Sequence, residues 1–310
     1  MSNGKEIVDL QKEIESMPEY QLELKLLSLD ISRYVFKQNY LQLRQLLTTS
    51  EEPKKASELW AVKNRHLLEA FQRETIRLLH NFVASVKSLV DHTRILYREL
   101  YKPGGRFPDY QDEINKRFAQ NPLAQFVEDL RDYCLHYKIL PIFAERSFTS
   151  NTAEPESRIK LNVKTLSEYS SWSPPARQFL SDIKDSIDVK DLIEKYYEMV
   201  AGFHQWIQKR QMEIYADEFR RLNEKRLKLK TLVIPEIVEM ALAKISNANV
   251  SPGEVFYYLL TPEEREELEI EPLTSSKHVE KLIYLIEKQA PINNDLKDKI
   301  RKIYQQFIEN

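Results

Sequence analysis

Arg131 and His136 are the residues of this chain whose types and spacing point most directly to chemistry. A histidine can take a proton from a ribose 2′-hydroxyl near neutral pH. An arginine can stabilise the negative charge that builds on a phosphate as it becomes five-coordinate. Together they can cleave RNA without a metal ion, leaving 2′,3′-cyclic phosphate and 5′-hydroxyl ends because the attacking group is the 2′-hydroxyl.

Asp132 lies four residues before His136, so on a helix the two side chains share one face. A carboxylate there can accept a hydrogen bond from the imidazole, fix its tautomer and raise its basicity. Arg131 lies roughly 140° from His136 around a helix, at ~100° per residue. The same spacing fits a surface arginine and a histidine that caps a helix C-terminus. The pattern alone favours this second interpretation, since it arises often by chance.

The composition is that of a folded protein, with 42% hydrophobic and 30% charged residues. Five glycines in 310 residues favour long helices over a loop-rich β architecture. A formal net charge of −2 gives no overall field that would attract nucleic acid, so RNA binding needs a local basic patch. The single cysteine, Cys134, excludes an internal disulfide and favours a reducing compartment. We expect its side chain to be a small buried hydrophobe.

Prolines that follow a capping side chain mark the starts of helices, as at Asn121-Pro122. The helix that begins there is predicted to reach about Tyr137 and to carry the arginine–histidine pair. No proline or glycine interrupts residues 54–101, and the apolar spacing there predicts one long amphipathic helix or two nearly continuous ones. Alternating apolar residues predict a β-hairpin near 142–164.

The predicted fold is therefore all-α with a small β-hairpin, organised in three parts. Residues 1–52 form an N-terminal helical extension, and residues 53–232 form a helical bundle that contains the hairpin. Residues 233–310 form a small C-terminal helical module, because several short helices follow one another there.

Two groups of basic residues could guide an RNA backbone. His80 and Lys87 belong to a polar line that recurs every seven residues along 54–101, and Arg220 and Arg221 belong to a basic run near the end of a long helix. Each group also has a simpler interpretation, which we favour. The polar line is typical of a solvated or interhelical face, and the basic run is typical of a helix C-terminus.

The other histidines carry less information. His204 stands beside apolar residues and is expected to be a core-edge histidine. No histidine pair has the spacing of a metal site, and no glycine-rich phosphate-binding motif occurs in the sequence. We therefore expect no metal ion and no other cofactor.

The string Arg131-Asp132-Tyr133-Cys134-Leu135-His136 resembles the arginine–polar–three residues–histidine motif of the HEPN superfamily. The resemblance covers roughly residues 54–230. It implies a HEPN-like helical bundle and, as for many members, a metal-independent endoribonuclease of toxin–antitoxin or antiphage systems. It also implies that Arg131 and His136 are catalytic and that Asp132 takes the polar position, where the family often has asparagine. Two protomers of such proteins often bring their pairs together across a dimer interface.

The resemblance implies RNA, a second copy of the chain and an antitoxin or defence protein as partners. The alternative is a non-catalytic helical protein that uses the same bundle for dimerisation or partner docking. An open basic cleft at Arg131 and His136 would favour the nuclease, and their engagement in packing would favour the alternative. Residues 1–6 lack an apolar signal core and no stretch is long enough to span a bilayer, so we expect a cytoplasmic protein without membrane association.

Overall fold

A computed structural model of the chain describes residues 2–147, 156–248 and 250–309. In this part the protein is mostly helical, with fourteen α-helices and one three-stranded sheet. The helices are α1 (Ser2–Ser16), α2 (Pro18–Glu51), α3 (Pro53–Trp60), α4 (Arg65–Leu100), α5 (Tyr110–Ile114), α6 (Pro122–His136), α7 (Val163–Leu166), α8 (Pro174–Ser181), α9 (Val189–Ile214), α10 (Ala216–Ala248), α11 (Pro252–Phe256), α12 (Pro262–Glu269), α13 (Ser276–Gln289) and α14 (Asn294–Glu309). The strands are β1 (Ile142–Ser147), β2 (Glu156–Asn162) and β3 (Ser186–Asp188). The predicted helical class is confirmed.

The chain divides into two compact units. The central unit is Leu24–Tyr215, and the terminal unit combines Met1–Glu23 with Ala216–Asn310. The predicted parts 1–52, 53–232 and 233–310 divide the chain differently from these units. Helix α2 extends from Pro18 into the central unit, and α10 continues through residue 232 to Ala248.

Pro235 explains why α10 looked like two elements in the sequence. A proline usually marks a helix start, but this one lies inside α10. The loss of one backbone hydrogen bond is offset by apolar burial, since Val238, Leu242 and Ile245 after the proline are buried in the core of the terminal unit. The same core takes up Phe256, Leu282 and Tyr304 from the later helices.

The core of the central unit is rich in stacked aromatic rings. Phe36 of α2 stacks on Phe82 of α4 with ring centroids 5.5 Å apart. Tyr197 of α9 stacks on Phe36 at 5.7 Å and on Tyr40 at 3.8 Å. Helices α2, α4 and α9 are thereby held together. The amphipathic region predicted over 54–101 forms two helices, α3 and α4, joined by the 3-10 turn Val62–Asn64. Of the two predicted possibilities, one long helix or two nearly continuous ones, the second is therefore correct.

Helix α6 begins at the predicted position and is anchored by its apolar side. The Asn121 side chain accepts a hydrogen bond from the Ala124 backbone N–H at 3.1 Å, and Pro122 takes the first turn. The buried residues of α6 are Ala124, Phe126, Val127, Leu130 and Tyr133. Phe126 stacks on Phe179 of α8 at 4.7 Å, and Tyr133 stacks on Trp172 at 5.8 Å. These contacts fix the rotation of α6 about its axis.

The predicted hairpin is present as part of a larger sheet. Strands β1 and β2 pair antiparallel from Ile142 opposite Leu161 onwards. The residues 148–155, where the turn was expected, lie outside the described residues. Strand β3 pairs antiparallel with β2 through Ile187 opposite Leu161 and was not predicted, because three residues are too few to show a period.

The Tyr133 ring is predicted to contribute strongly to the stability of the central unit. The side chain is fully buried, so Tyr133→Ala should lower the free energy of unfolding by about 3–5 kcal/mol. Its hydroxyl is buried without a hydrogen-bond partner in the part of the chain that the structure describes. Tyr133→Phe should therefore cost little or stabilise. Urea unfolding followed by tryptophan fluorescence checks this, since all three tryptophans, Trp60, Trp172 and Trp206, lie in the central unit. Equal losses for both variants would contradict the assignment.

Candidate functional site

The polar side of α6 carries Arg131, Asp132 and His136 near its C-terminal end. The Arg131 Nη1 donates to Asp132 Oδ1 at 2.7 Å, and these side chains are 29% and 50% exposed. The His136 side chain is exposed, and no hydrogen bond or ion pair engages it among the described residues. None of the three is used in packing the core.

The hydrogen bond that Asp132 makes is not the one that the helical spacing predicts. Asp132 was expected to hold the His136 imidazole, but its carboxylate is bound by the neighbouring Arg131. Within the described ranges, no hydrogen bond or ion pair joins Arg131 or Asp132 to His136. This follows from reach, because an arginine beside an aspartate can bend back and form a charge-assisted hydrogen bond. The catalytic roles of all three residues stay predictions.

Exposed apolar side chains flank His136. Leu135, Tyr137 and Ile139 are exposed, and Ile139 reaches 75%. We call these three residues the apolar patch. Leu135 precedes His136 at the end of α6, and Tyr137 and Ile139 follow it in the segment that leads to β1. Exposed hydrophobes are common one at a time, and these three lie within five residues of the chain around one candidate catalytic residue.

Cys134 lies within the motif but is not a reactive thiol. It is partly buried, and burial raises the pKa of the thiol to about 12. A thiol that stays protonated at neutral pH is neither a nucleophile nor a metal ligand. Its expected role as a small apolar residue agrees with this environment.

Glu128 is a feature of α6 that the sequence interpretation missed. Its carboxylate is partly buried and makes no hydrogen bond or ion pair within the part of the chain described. Burial raises the pKa of Glu128, and the charges of Asp129 and Asp91 add to the rise while those of Arg94 and Lys87 oppose it. The available signal was position, since Glu128 lies three residues before Arg131 and on the same side of the helix.

Three charged residues of α4 are close enough to Glu128 to act on it electrostatically. Lys87 Nζ binds Asp91 Oδ1 at 2.7 Å, and Arg94 Nη1 lies 4.0 Å from the same oxygen. Lys87, predicted as a weak RNA contact, therefore already has a carboxylate partner. His80 lies seven residues before Lys87 on α4, and its side chain is partly buried. Contact of either residue with RNA stays a prediction.

A cavity of about 340 Å³ opens beside Glu128 inside the central unit. Its lining includes Arg94 and Glu128 among charged groups and Tyr110, Tyr196 and Phe203 among aromatic rings. This volume is in the usual range for a small-molecule site, about 300–1,000 Å³. The cavity thus offers polar and apolar groups in about equal measure.

His204 also lines this cavity and is buried, with 6% of its surface exposed. Burial lowers the pKa of His204 to about 3, and the nearby positive charge of Arg33 lowers it further. Its Nδ1 has no hydrogen-bond partner in the described part of the chain. The imidazole is therefore neutral at physiological pH.

Arg220 and Arg221 lie in the terminal unit, and each has an acidic partner. Arg220 forms an ion pair with Asp217, and Arg221 Nε donates to Glu19 at 2.7 Å. Lys225 and Arg226 of the same run pair with Glu13 and Glu23. The carboxylates of α1 and early α2 balance the run. The helix C-terminus expected here is wrong, because Arg220 and Arg221 lie near the start of α10 (Ala216–Ala248). Binding of RNA by them stays a prediction.

Residues 2–147, 156–248 and 250–309 contain no cluster of three or more histidine, cysteine, aspartate or glutamate side chains suited to a metal ion. The same residues include no helix with the length and apolar character needed to cross a membrane. Comparison of the chain with protein-family models, with curated proteins and with solved structures gave no match. Function is therefore argued from the geometry of the site.

Glu128→Gln is predicted to stabilise the protein at neutral pH. A carboxyl group with a raised pKa binds its proton more tightly in the folded state, so stability is lost as pH rises above 4.5, the ordinary value. Glutamine cannot ionise, and removal of an unpaired buried charge should add about 0.5–2 kcal/mol. Urea unfolding as a function of pH measures the difference, which should vanish near about pH 3. A variant less stable than wild type at neutral pH would contradict this.

His204→Leu is predicted to flatten the pH dependence of stability. The folded pKa lies below the ordinary value of 6.5, so the unfolded chain takes up a proton first as pH falls. Wild type should lose stability relative to the variant by up to about 1.4 kcal/mol for each pH unit below 6.5. The packing change adds a constant offset. A difference in unfolding free energy that is independent of pH would show that His204 is not buried and neutral.

Proposed function

We propose that this protein is a metal-independent endoribonuclease with a HEPN-like helical bundle, acting in bacterial defence or in toxin–antitoxin growth arrest. The observation that carries the proposal is the position of His136. Its imidazole is exposed and unengaged by the described residues, and it lies about one turn beyond the partly exposed Arg131 on a helix anchored by its apolar side. An accessible imidazole is what a general base for a ribose hydroxyl requires.

The proposed reaction uses only side chains and the RNA itself. His136 takes the proton of the 2′-hydroxyl, and the oxygen attacks the adjacent phosphorus. The bond from phosphorus to the 5′-oxygen breaks, and that oxygen takes up a proton from a general acid. Arg131 stabilises the five-coordinate phosphorane through paired N–H donors. For this it has to exchange its bond with Asp132 for one with the phosphate.

The apolar patch supports a dimeric form of the enzyme. A second copy that covers Leu135, Tyr137 and Ile139 would remove exposed apolar surface from water and place two copies of α6 side by side. His136 of one protomer would then meet Arg131 of its partner. This arrangement removes the need for the two side chains to meet on one helix, where they lie far apart in angle. An antitoxin or defence protein is a further partner of such an enzyme.

The second candidate is a non-catalytic protein that associates through the same surface. The observation that favours it is the bond between Arg131 and Asp132, which neutralises the cation expected to bind phosphate. The apolar patch would serve docking equally well in this case. The two candidates differ in whether RNA is cut, and this can be measured directly.

His136→Ala is predicted to abolish cleavage of RNA. Removal of a general acid or base should lower the rate by about 10²–10⁴-fold. Purified wild type and variant are incubated with total RNA in EDTA, and the new ends are mapped. Wild type should produce 2′,3′-cyclic phosphate and 5′-hydroxyl ends. His66→Ala is the matched control, because His66 is an exposed histidine of α4 outside the motif.

Two outcomes would count against the nuclease. Cleavage by His136→Ala at the wild-type rate would place the activity elsewhere or in a contaminant. Absence of cleavage by all three proteins would favour the non-catalytic candidate.

Asp132→Asn is predicted to strengthen the binding of RNA at the site. The substitution removes the negative charge that holds Arg131, so the guanidinium is available to phosphate. We expect KM for a short RNA to fall several-fold while kcat changes little. A loss of kcat comparable to that of His136→Ala would mean that Asp132 acts on the histidine, as the helical spacing suggests.

A further inference from the structure

The charges around Glu128 do not balance. The groups that act on its carboxylate are two cations, Lys87 and Arg94, and two further carboxylates, Asp91 and Asp129. Among these five groups, with Glu128 ionised, three carboxylates stand against two cations, so one negative charge is in excess. Asp91 is already shared between Lys87 and Arg94, and Asp129 accepts a hydrogen bond from the Ser173 backbone N–H at 2.8 Å. Glu128 is the member of the group left without a direct partner among the described residues.

Glu128 lies at the wall of the cavity of about 340 Å³, not on open surface. The rings of Phe36, Tyr110, Phe118 and Phe203 form much of the remaining lining. Aromatic faces attract cations as well as apolar groups. A carboxylate on an aromatic wall is therefore complementary to a positively charged group on an apolar body.

Two further polar atoms of the lining lack partners. The Tyr110 hydroxyl and the His204 Nδ1 are buried without hydrogen bonds in the part of the chain that the structure describes. Both side chains are more than nine-tenths buried. Buried polar atoms are normally satisfied, but these two atoms are themselves shielded from the cavity, so the choice of ligand rests on Glu128.

We propose that this cavity binds a small organic ammonium compound, with its cationic head on Glu128 and its apolar body among the aromatic rings. A monocation brings the local charge to balance and gives the carboxylate its missing partner. An anion would add to the uncompensated negative charge. A neutral apolar ligand would fill the space and leave Glu128 unpaired, at a cost in free energy. The proposal stands apart from RNA cleavage and does not depend on it.

The cost of Glu128 to stability agrees with a role in binding. A partly buried carboxylate without a partner destabilises a fold, and a neutral glutamine of the same size would avoid this. Residues that cost stability in the empty protein are typical of binding sites, where the ligand repays the cost. The partly buried, unpaired state of Glu128 thus explains both its raised pKa and why the proposed ligand is a cation.

The test is calorimetric titration of the full-length protein at neutral pH with phenethylamine and with phenethyl alcohol. The two compounds share an aromatic body and differ in the charged head. We expect the amine to bind with a Kd at or below about 1 mM and the alcohol to bind at least about tenfold more weakly. Benzylamine, tryptamine and cyclohexylamine extend the series of apolar amines.

Variants place the binding in the cavity. Glu128→Gln should weaken the amine at least about tenfold and leave the alcohol unchanged. Glu69→Gln, an exposed glutamate of α4 outside the cavity, should bind as wild type does. Val90→Phe fills the cavity and should abolish binding of both compounds. Circular dichroism checks that each variant is folded.

Three results would overturn the proposal. One is equal affinity for the amine and the alcohol. Another is unchanged amine affinity in Glu128→Gln. The third is absence of binding by every amine of the series at several millimolar, while the protein is folded.

Discussion

Burial of the apolar side of α6 positions the polar residues of this helix. Phe126 and Tyr133 pack on Phe179 and Trp172, and they leave the helix no freedom to rotate. Because side chains radiate around a helix at fixed angles, this burial decides where every polar residue of α6 lies. Glu128 is directed to the cavity, and the motif residues are left at the surface. The side chains of the proposed sites are thus positioned by core residues that take no part in the proposed chemistry.

Many charged side chains of the described residues form ion pairs, including several that sequence analysis linked to RNA. Arg131 has Asp132, Lys87 has Asp91, and Arg221 has Glu19. Exposed pairs of this kind contribute little to stability, about 0–1 kcal/mol each, but they neutralise surfaces that would otherwise attract an RNA backbone. Glu128 differs from these as a partly buried carboxylate without a direct partner among the described residues, and His136 is an exposed imidazole near Arg131 on the same helix. The two proposed activities rest on these two residues.

Much of the fold was predictable because local signals specify it. The cap at Asn121 and Pro122 fixed the start of α6, and the apolar period over 54–101 gave α3 and α4. What failed had non-local causes. Strand β3 exists only through its pairing with β2, and α10 passes through Pro235 because the residues beyond it are buried. No local pattern contains that information.

The sequence predicts where the candidate site residues lie on α6, but it does not predict which hydrogen bonds they make. The motif residues lie on the exposed side of α6 as their types suggest, yet Asp132 contacts Arg131 in place of His136. A period of four gives two residues the same face, but the choice between two possible partners depends on side-chain reach and on solvent. Glu128 was overlooked because its position three residues before Arg131 does not reveal that its carboxylate is partly buried. Its character comes from burial and from residues of α4 distant in sequence.

In the proposed enzyme, two copies of the chain complete one ribonuclease site, with Arg131 from one protomer and His136 from its partner. Co-expression of Arg131→Ala and His136→Ala chains with different tags, followed by purification of the mixture, tests it most directly. With random pairing, half of the dimers contain one chain of each variant, and each of these dimers has one intact site of two. We therefore expect recovery of about a quarter of wild-type cleavage in EDTA. A mixture as inactive as each variant alone, beside an active wild type, would contradict it.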